Sequence, residues 1–160
     1  MRVVIGLGGN LGDRFANLRL ALARLRACGV IAGASNVYET PPLGPPQPDY
    51  LNAAVLMETE LSPRELLVAL LEIERAMGRV RDVRWGPRTI DLDVLWIEGV
   101  VVKEDGLEVP HRQMTERPFA LVPLLDVAPE ATDPKSGLKY ASLSISRDGM
   151  RYVGTLGSED

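Results

Sequence analysis

Ile90-Asp91-Leu92-Asp93-Val94-Leu95-Trp96 is the stretch from which the rest of the chain is best read. In an extended strand, side chains two apart share a face. That puts Ile90, Leu92, Val94 and Trp96 on one side and Asp91 and Asp93 on the other. The apolar side is expected to meet helices, which leaves both carboxylates on an open face. Aspartate is disfavoured in strands, so two on one face point to a function. Their α-carbons are expected roughly 7 Å apart, close enough to ligate one magnesium ion or to bracket a pair. Two solvated acids on an exposed strand would give the same pattern, and the pair alone leaves both readings open.

Two further strands carry the same sidedness. Residues 2–8 alternate, with Val3, Ile5 and Leu7 on one face and Val4, Gly6 and Gly8 on the other. Residues 50–57 set Leu51, Ala53, Val55 and Met57 against Tyr50, Asn52 and Ala54. Between these strands, residues 13–28 read as a helix with Phe15, Leu18, Leu22 and Leu25 at steps of three and four, ended by Gly29. Residues 31–38 read as a strand. Residues 41–48 hold five prolines and can only be a loop. Ser62-Pro63-Arg64-Glu65 is a helix start, with a Ser cap, Pro at the first helical position and Glu three after the cap. Leu66, Leu70, Ile73 and Met77 form that helix's buried stripe. A short helix is expected over residues 119–126, and residues 140–145 and 150–156 are expected as edge strands. The order βαββαβ predicts an α+β, ferredoxin-like sandwich: an antiparallel sheet with helices on one face and the site on the other. One domain is expected over residues 1–160, with 131–160 as a weakly patterned C-terminal extension.

The open face then gathers chemistry. Tyr50 offers a ring to stack on and Asn52 an amide with donor and acceptor, which suits a flat heterocycle. Gly6 and Gly8 let a ligand approach the backbone. Arg75, Arg79, Arg81, Arg84 and Arg88 crowd a short segment with Asp82 as its one acid, a concentration suited to a small polyanion such as a polyphosphate. His111, the only histidine, follows Pro110 and precedes Arg112 and Arg117. No G-x-x-x-x-G-K-[ST] occurs, which excludes a P-loop, and Gly6-Leu7-Gly8-Gly9-Asn10 lacks the dinucleotide-binding spacing.

Composition bounds the partners. The net charge is −4, with 22 acidic and 18 basic residues among 160, which argues against nucleic acid. The apolar runs are too short for a membrane, and no signal-peptide pattern follows Met1. Cys28 stands alone, so no internal disulfide forms and a reducing cytoplasm is the expected setting. A monomer is expected.

Arg84-Trp85-Gly86-Pro87-Arg88-Thr89-Ile90-Asp91-Leu92-Asp93 resembles the signature of the 6-hydroxymethyl-7,8-dihydropterin pyrophosphokinase family. The similarity continues in Gly8-Gly9-Asn10-Leu11-Gly12, Tyr38-Glu39-Thr40-Pro41-Pro42-Leu43-Gly44, Gln47-Pro48-Asp49-Tyr50-Leu51-Asn52, Gly78-Arg79-Val80-Arg81 and Val109-Pro110-His111. It runs over roughly residues 3–130. The resemblance implies transfer of the β,γ-pyrophosphate of ATP to the pterin hydroxymethyl oxygen, with AMP released. It implies that Asp91 and Asp93 hold two magnesium ions. It implies that Arg79, Arg81, Arg88, His111 and Arg117 hold ATP and its phosphates, with Glu74 beside the nucleotide and Arg79 and Arg88 acting in catalysis. Thr40, Pro41, Leu43, Tyr50, Asn52 and Phe119 match the pterin pocket, where Tyr50 and Phe119 would sandwich the ring, and Trp85 lies on a loop that closes over it.

Three positions depart from the family's pattern. Gly9 stands where many members have Ser, Leu71 where a polar residue is common, and Arg112 where an aromatic is frequent. They bear on the adenine and ribose contacts. Two rival readings share the element order. An RNA-binding module would need exposed aromatics and a basic surface, and this acidic chain has two Trp, four Tyr and two Phe. Another D-x-D phosphoryl or nucleotidyl transferase would not need the Pro-rich loop or the Tyr50 and Asn52 pair.

Overall fold

The computed structural model describes residues 1–42, 44–78 and 89–156. Leu43, Arg79, Arg81, Arg84, Trp85 and Arg88 therefore lie outside the described residues. The chain runs β1 (Arg2–Gly9), α1 (Arg14–Leu25), β2 (Val30–Ala34), β3 (Asn36–Thr40), β4 (Tyr50–Glu58), α2 (Pro63–Ala76), β5 (Asp91–Ile97), β6 (Val102–Glu104), β7 (Leu107–Val109), α3 (Pro118–Val127) and β8 (Arg151–Thr155). The strands form an antiparallel sheet in the order β5-β1-β4-β3-β8, with β2 also on β4, while β6 and β7 make a separate hairpin. The architecture is α+β.

Local chemistry explains most element ends. Asp13 caps α1 by accepting from the Ala16 N–H, and Ser62 and Glu65 form a reciprocal capping box with Pro63 at the start of α2. Leu18, Leu22 and Leu25 of α1 and Leu66, Leu70 and Ile73 of α2 are buried against Val3, Ile5, Leu7, Ala53, Val55, Leu92 and Val94. Each Leu, Ile or Val among them contributes about 1.5–3 kcal/mol by leaving water.

Three expectations need correction. Residues 31–38 are not one strand: Ser35 breaks them into β2 and β3. Its N–H donates to the Ala54 carbonyl at 2.8 Å, and its Oγ accepts from the Ala54 N–H at 2.7 Å. A side chain thus completes the ladder where the backbone bends, and both halves stay on β4. Residues 140–145 are not an edge strand either; Tyr140–Ser142 is a short 3-10 turn whose Tyr140 is buried in a second core. The third correction concerns β5. Its register against β1 slips between Val4 and Ile5, so that Val4 faces Trp96 and Ile5 faces Val94. Leu95 is the extra residue of a bulge, and the alternation reverses beyond it. Trp96 therefore leaves the side of Leu92 and Val94 and joins Leu95, Val4, Ala54 and Leu56 against α3. Its indole N–H donates to the Thr132 carbonyl at 2.8 Å.

The second face is consequently not open throughout. Leu121 and Leu124 of α3 cover it along Val4, Ala54 and Trp96. The remainder, along Gly6, Gly8, Asn52, Asp91 and Asp93, carries the candidate site residues of the central strands. The substitution Ser62→Ala removes one half of the capping box of α2. It is expected to cost about 1 kcal/mol and to lower the melting temperature by roughly 2–4 °C, measured by thermal denaturation; an unchanged midpoint would remove the cap from the stability argument.

Candidate functional site

Strand register builds the site. Asp91 of β5 pairs with Gly8 of β1, Gly8 with Asn52 of β4, and Asn52 with Tyr38 of β3. Paired residues share a face, so one carboxylate and one amide flank a glycine in a single row. Their α-carbons are separated by two strand spacings, roughly 10 Å. The next row holds Asp93, Gly6 and Ala54. The glycines here leave room for neighbouring side chains and serve no turn geometry. A β-carbon on Gly8 would stand 2.8 Å from Asn52 Oδ1, and one on Gly6 would stand 3.1 Å from the Leu95 side chain.

Asn52 is itself oriented. Its Nδ2 donates to Thr40 Oγ1 at 2.7 Å, and Thr40 is buried and paired with Tyr50. Thr40, Tyr50 and Asn52 therefore meet at one end of the sheet, with Pro41 following on the surface. Phe119 sits in the first turn of α3, on the side of the sheet that carries Asn52, and the Arg117 guanidinium lies 5.6 Å from its ring centroid.

Glu74 has a structural task. It is 3% exposed, and its Oε2 accepts from the Leu92 N–H at 2.7 Å. Among the described residues, strand β5 has β1 as its one neighbour in the sheet, so its outer backbone groups need partners from elsewhere. A buried carboxylate from α2 thus fixes the edge strand midway between Asp91 and Asp93. The carboxylates form a pair of hard oxygen donors, and among the described residues no group of three His, Cys, Asp or Glu is assembled. Such a set suits a magnesium ion, which keeps waters and takes substrate phosphate oxygens alongside one or two carboxylates.

His111 follows a cis peptide bond between Val109 and Pro110, and its N–H donates to the Leu95 carbonyl at 2.9 Å. Its Nδ1 accepts from the Gln113 N–H at 3.3 Å, which assigns the neutral ring's proton to Nε2 and makes that nitrogen a donor. Burial, and next the Arg117 charge, push the His111 pKa below its usual value, while Asp91 opposes them. Gln113 also accepts from Arg117 through Oε1. One residue that the sequence reading passed over thus holds both basic groups; the four-residue spacing from Gln113 to Arg117 along a turn gave no signal of it. Beside them lies a cleft of about 380 Å³, with Leu67, Val94 and Leu107 as apolar lining and Asp93, Glu108 and His111 as polar lining. Arg112 is on the same wall. The structure therefore brings Asp91, Asp93, His111 and Arg117 to one region and Thr40, Tyr50 and Asn52 to the next.

A family model described as 7,8-dihydro-6-hydroxymethylpterin-pyrophosphokinase (HPPK) matches residues 4–129. A Synechocystis protein named 2-amino-4-hydroxy-6-hydroxymethyldihydropteridine pyrophosphokinase is 46% identical over 139 residues, covering 84% of this chain and 70% of the relative. A protein of the same name from Methylorubrum extorquens is 44% identical over 155 residues, covering 95% and 98%. Among solved structures, Plasmodium falciparum HPPK-DHPS with pteroate is similar with a TM-score of 0.72 at 18% identity, covering 89% of this chain. The chain spans 41% of that protein's length, and the likeness is one of fold.

The lone histidine permits a direct check on the electrostatics. In the metal-free protein its NMR titration midpoint is expected below the ordinary 6.5. The unfolded chain binds this proton more tightly than the folded one. The His111 contribution to stability is therefore present above 6.5 and falls away as pH drops towards the lowered folded value. A midpoint at or above 6.5 would mean that the ring is not held neutral.

Proposed function

Because the chain belongs to the 7,8-dihydro-6-hydroxymethylpterin-pyrophosphokinase family, we propose that it transfers the β,γ-pyrophosphate of ATP to the hydroxymethyl oxygen of 6-hydroxymethyl-7,8-dihydropterin, releasing AMP. It is an enzyme, a pyrophosphokinase of folate biosynthesis. The observation that carries the detailed reading is the row Asp91, Gly8, Asn52, in which a phosphate-side carboxylate and a pterin-side amide share one sheet face across a single glycine.

On this reading Tyr50 and Phe119 stack on the pterin, and Asn52, oriented by Thr40, bonds its edge. Pro41 and Leu43 border the same pocket, and Trp85 closes over it. ATP occupies the cleft beside Val94 and Leu107, with Glu74 supporting the strand beneath. The neutral His111 donates from Nε2 to a phosphate oxygen, and Arg117, braced by Gln113, adds positive charge. Arg79, Arg81 and Arg88 complete the charge on the diphosphate. The alcohol oxygen attacks the β-phosphorus and releases its proton to solvent water. The bond from β-phosphorus to the bridging oxygen breaks, and that oxygen leaves with AMP. Preorganised positive charge lowers the barrier to such a transfer, where little covalent chemistry falls to the protein. Asp91 and Asp93 would hold two magnesium ions, which supply charge neutralisation on the phosphate oxygens.

The strand order β5-β1-β4-β3, with α1 and α2 on one face, supports the ferredoxin-like description. Leu156 joins the core that contains β1, which supports one domain reaching past residue 130. Among the described residues no helix is long and apolar enough to cross a membrane. The single cysteine fits a cytoplasmic setting, and a monomer is the simplest assembly.

The test of the reaction is the nucleotide product. Incubation with ATP, magnesium and the hydroxymethyl pterin should yield AMP in a one-to-one ratio with pterin diphosphate; stoichiometric ADP would overturn the mechanism. Asp91→Ala and Asp93→Ala should each lose turnover while the pterin still binds, and near-normal activity in either would remove that residue from the metal site.

A second variant probes the pterin side. Gly8→Ala introduces a methyl group where Asn52 Oδ1 now sits, and the amide can give way. The melting temperature should move little while the pterin KM rises, by steady-state kinetics at saturating ATP. An unchanged pterin KM would exclude Asn52 from the pocket.

A further inference from the structure

The stretch Gly8-Gly9-Asn10-Leu11-Gly12 enters the resemblance, yet beyond Gly8 none of it touches the chemistry derived above. The structure gives the segment that starts there another task. Asn10 is 2% exposed, and its Nδ2 donates to Gln47 Oε1 at 2.8 Å and to the Pro48 carbonyl at 2.9 Å. Four residues on, Arg14 Nη1 donates to Glu39 Oε2 at 2.7 Å and to the Asp49 carbonyl at 2.9 Å. Glu39 directly precedes Thr40, and Asp49 directly precedes Tyr50. One guanidinium therefore joins the two stems of the Pro-rich stretch at the points where the pterin-side residues begin.

The need for an external clamp follows from composition. Pro41, Pro42, Pro45, Pro46 and Pro48 have no N–H, so this stretch has few backbone donors with which to close on itself. The β3–β4 ladder joins the two stems as far as Thr40 and Tyr50, and side chains from elsewhere add to it there. Glu39 also accepts from Arg151 through Oε1, and Arg151 stands opposite Glu39 in the β3–β8 pairing. A β-carbon built on Gly149, just before β8, would reach 3.5 Å from Pro41 Cδ. The segment after residue 129, outside the family match, thus packs on the same stems.

We propose that Arg14 is a positioning residue for the pterin side of the site: by bridging Glu39 and Asp49 it sets where Thr40 and Tyr50 stand, with Asn10 and Arg151 as its accessories. Arg14 touches neither substrate. Its effect reaches catalysis through the placement of the pterin pocket and leaves the nucleotide cleft, on the far side of β1, unchanged.

This inference rests on the pterin reading of that pocket, so the first measurement is AMP formation by the wild-type enzyme. With that established, Arg14→Ala should raise the pterin KM about tenfold, as loss of charge-assisted bonds does, with kcat and the ATP KM within about twofold. Arg14→Lys, which keeps a charged donor, should recover most of the loss. Equal rises in both KM values, or no rise in either, would reduce Arg14 to an ordinary stabilising ion pair and overturn the proposal. Should Arg14→Ala fail to fold, Glu39→Gln takes its place, with the same selective rise expected and the same outcomes against it. If the wild type makes no AMP, hydrogen exchange still decides the clamp: residues 47–52 should exchange faster in Arg14→Ala without substrates, and unchanged exchange would overturn it.

Discussion

One edge strand has to satisfy two cores and a pair of carboxylates, and the bulge at Leu95 is how it does so. Before the bulge, β5 follows simple alternation, with Leu92 and Val94 under the helices and Asp91 and Asp93 on the other side. After it, Trp96 turns to the face that carries Asp91 and Asp93 and fills the core beneath α3, while Ile97 takes its place under the helices. Without the extra residue, that large ring would be forced among α1 and α2, and α3 would lose the floor it packs on. The same face is therefore dry at one end and polar at the other. The change occurs within three residues, Asp93 to Leu95.

The neighbouring strands agree with that division. On β1, Val4 belongs to the dry end, and Gly6 and Gly8 to the polar end. On β4, Leu56 and Ala54 lie under α3, and Asn52 and Tyr50 extend past it. Glu74 holds the edge strand from behind through the Leu92 N–H. A buried carboxylate is costly unless its hydrogen bonds are made, so its presence under the strand is a commitment to that strand position. The carboxylates in front are held in register by β1 and by this contact from α2 together.

Much of this was legible in the sequence because it rests on periodicity or on local chemistry. The alternation of β1, β4 and the first half of β5 follows from the order of Val, Leu, Gly and Asp alone. The start of α2 follows from Ser62, Pro63 and Glu65. What could not be read depends on partners far along the chain. The bulge is set by how β5 meets Val4 and Ile5, some ninety positions earlier. The break at Ser35 is repaired by Ala54. The cover over the second face comes from α3, whose Leu121 and Leu124 read only as a short apolar helix. At the site, Asp91, Asp93, Tyr50 and Asn52 announced themselves through sidedness, and His111 through its rarity. Gln113 and Arg14 gave no such sign, since a glutamine in a turn and an arginine opening a helix are ordinary; only their partners reveal them.

The Glu39 carboxylate binds Arg14 from 25 positions earlier and Arg151 from 112 positions later. During synthesis, Arg14 has already emerged when Glu39 is made, whereas Arg151 arrives many seconds afterwards at ordinary translation speeds. The nascent sheet must therefore present β3 as a bare edge for most of that interval, with its outer backbone groups open to any passing strand. The contact that closes this edge is also distant in sequence, and pairings of that kind form late because the loop entropy is lost before the contact is gained. Protection of the β3 edge from misassociation is thus timed by a single event, the arrival of β8.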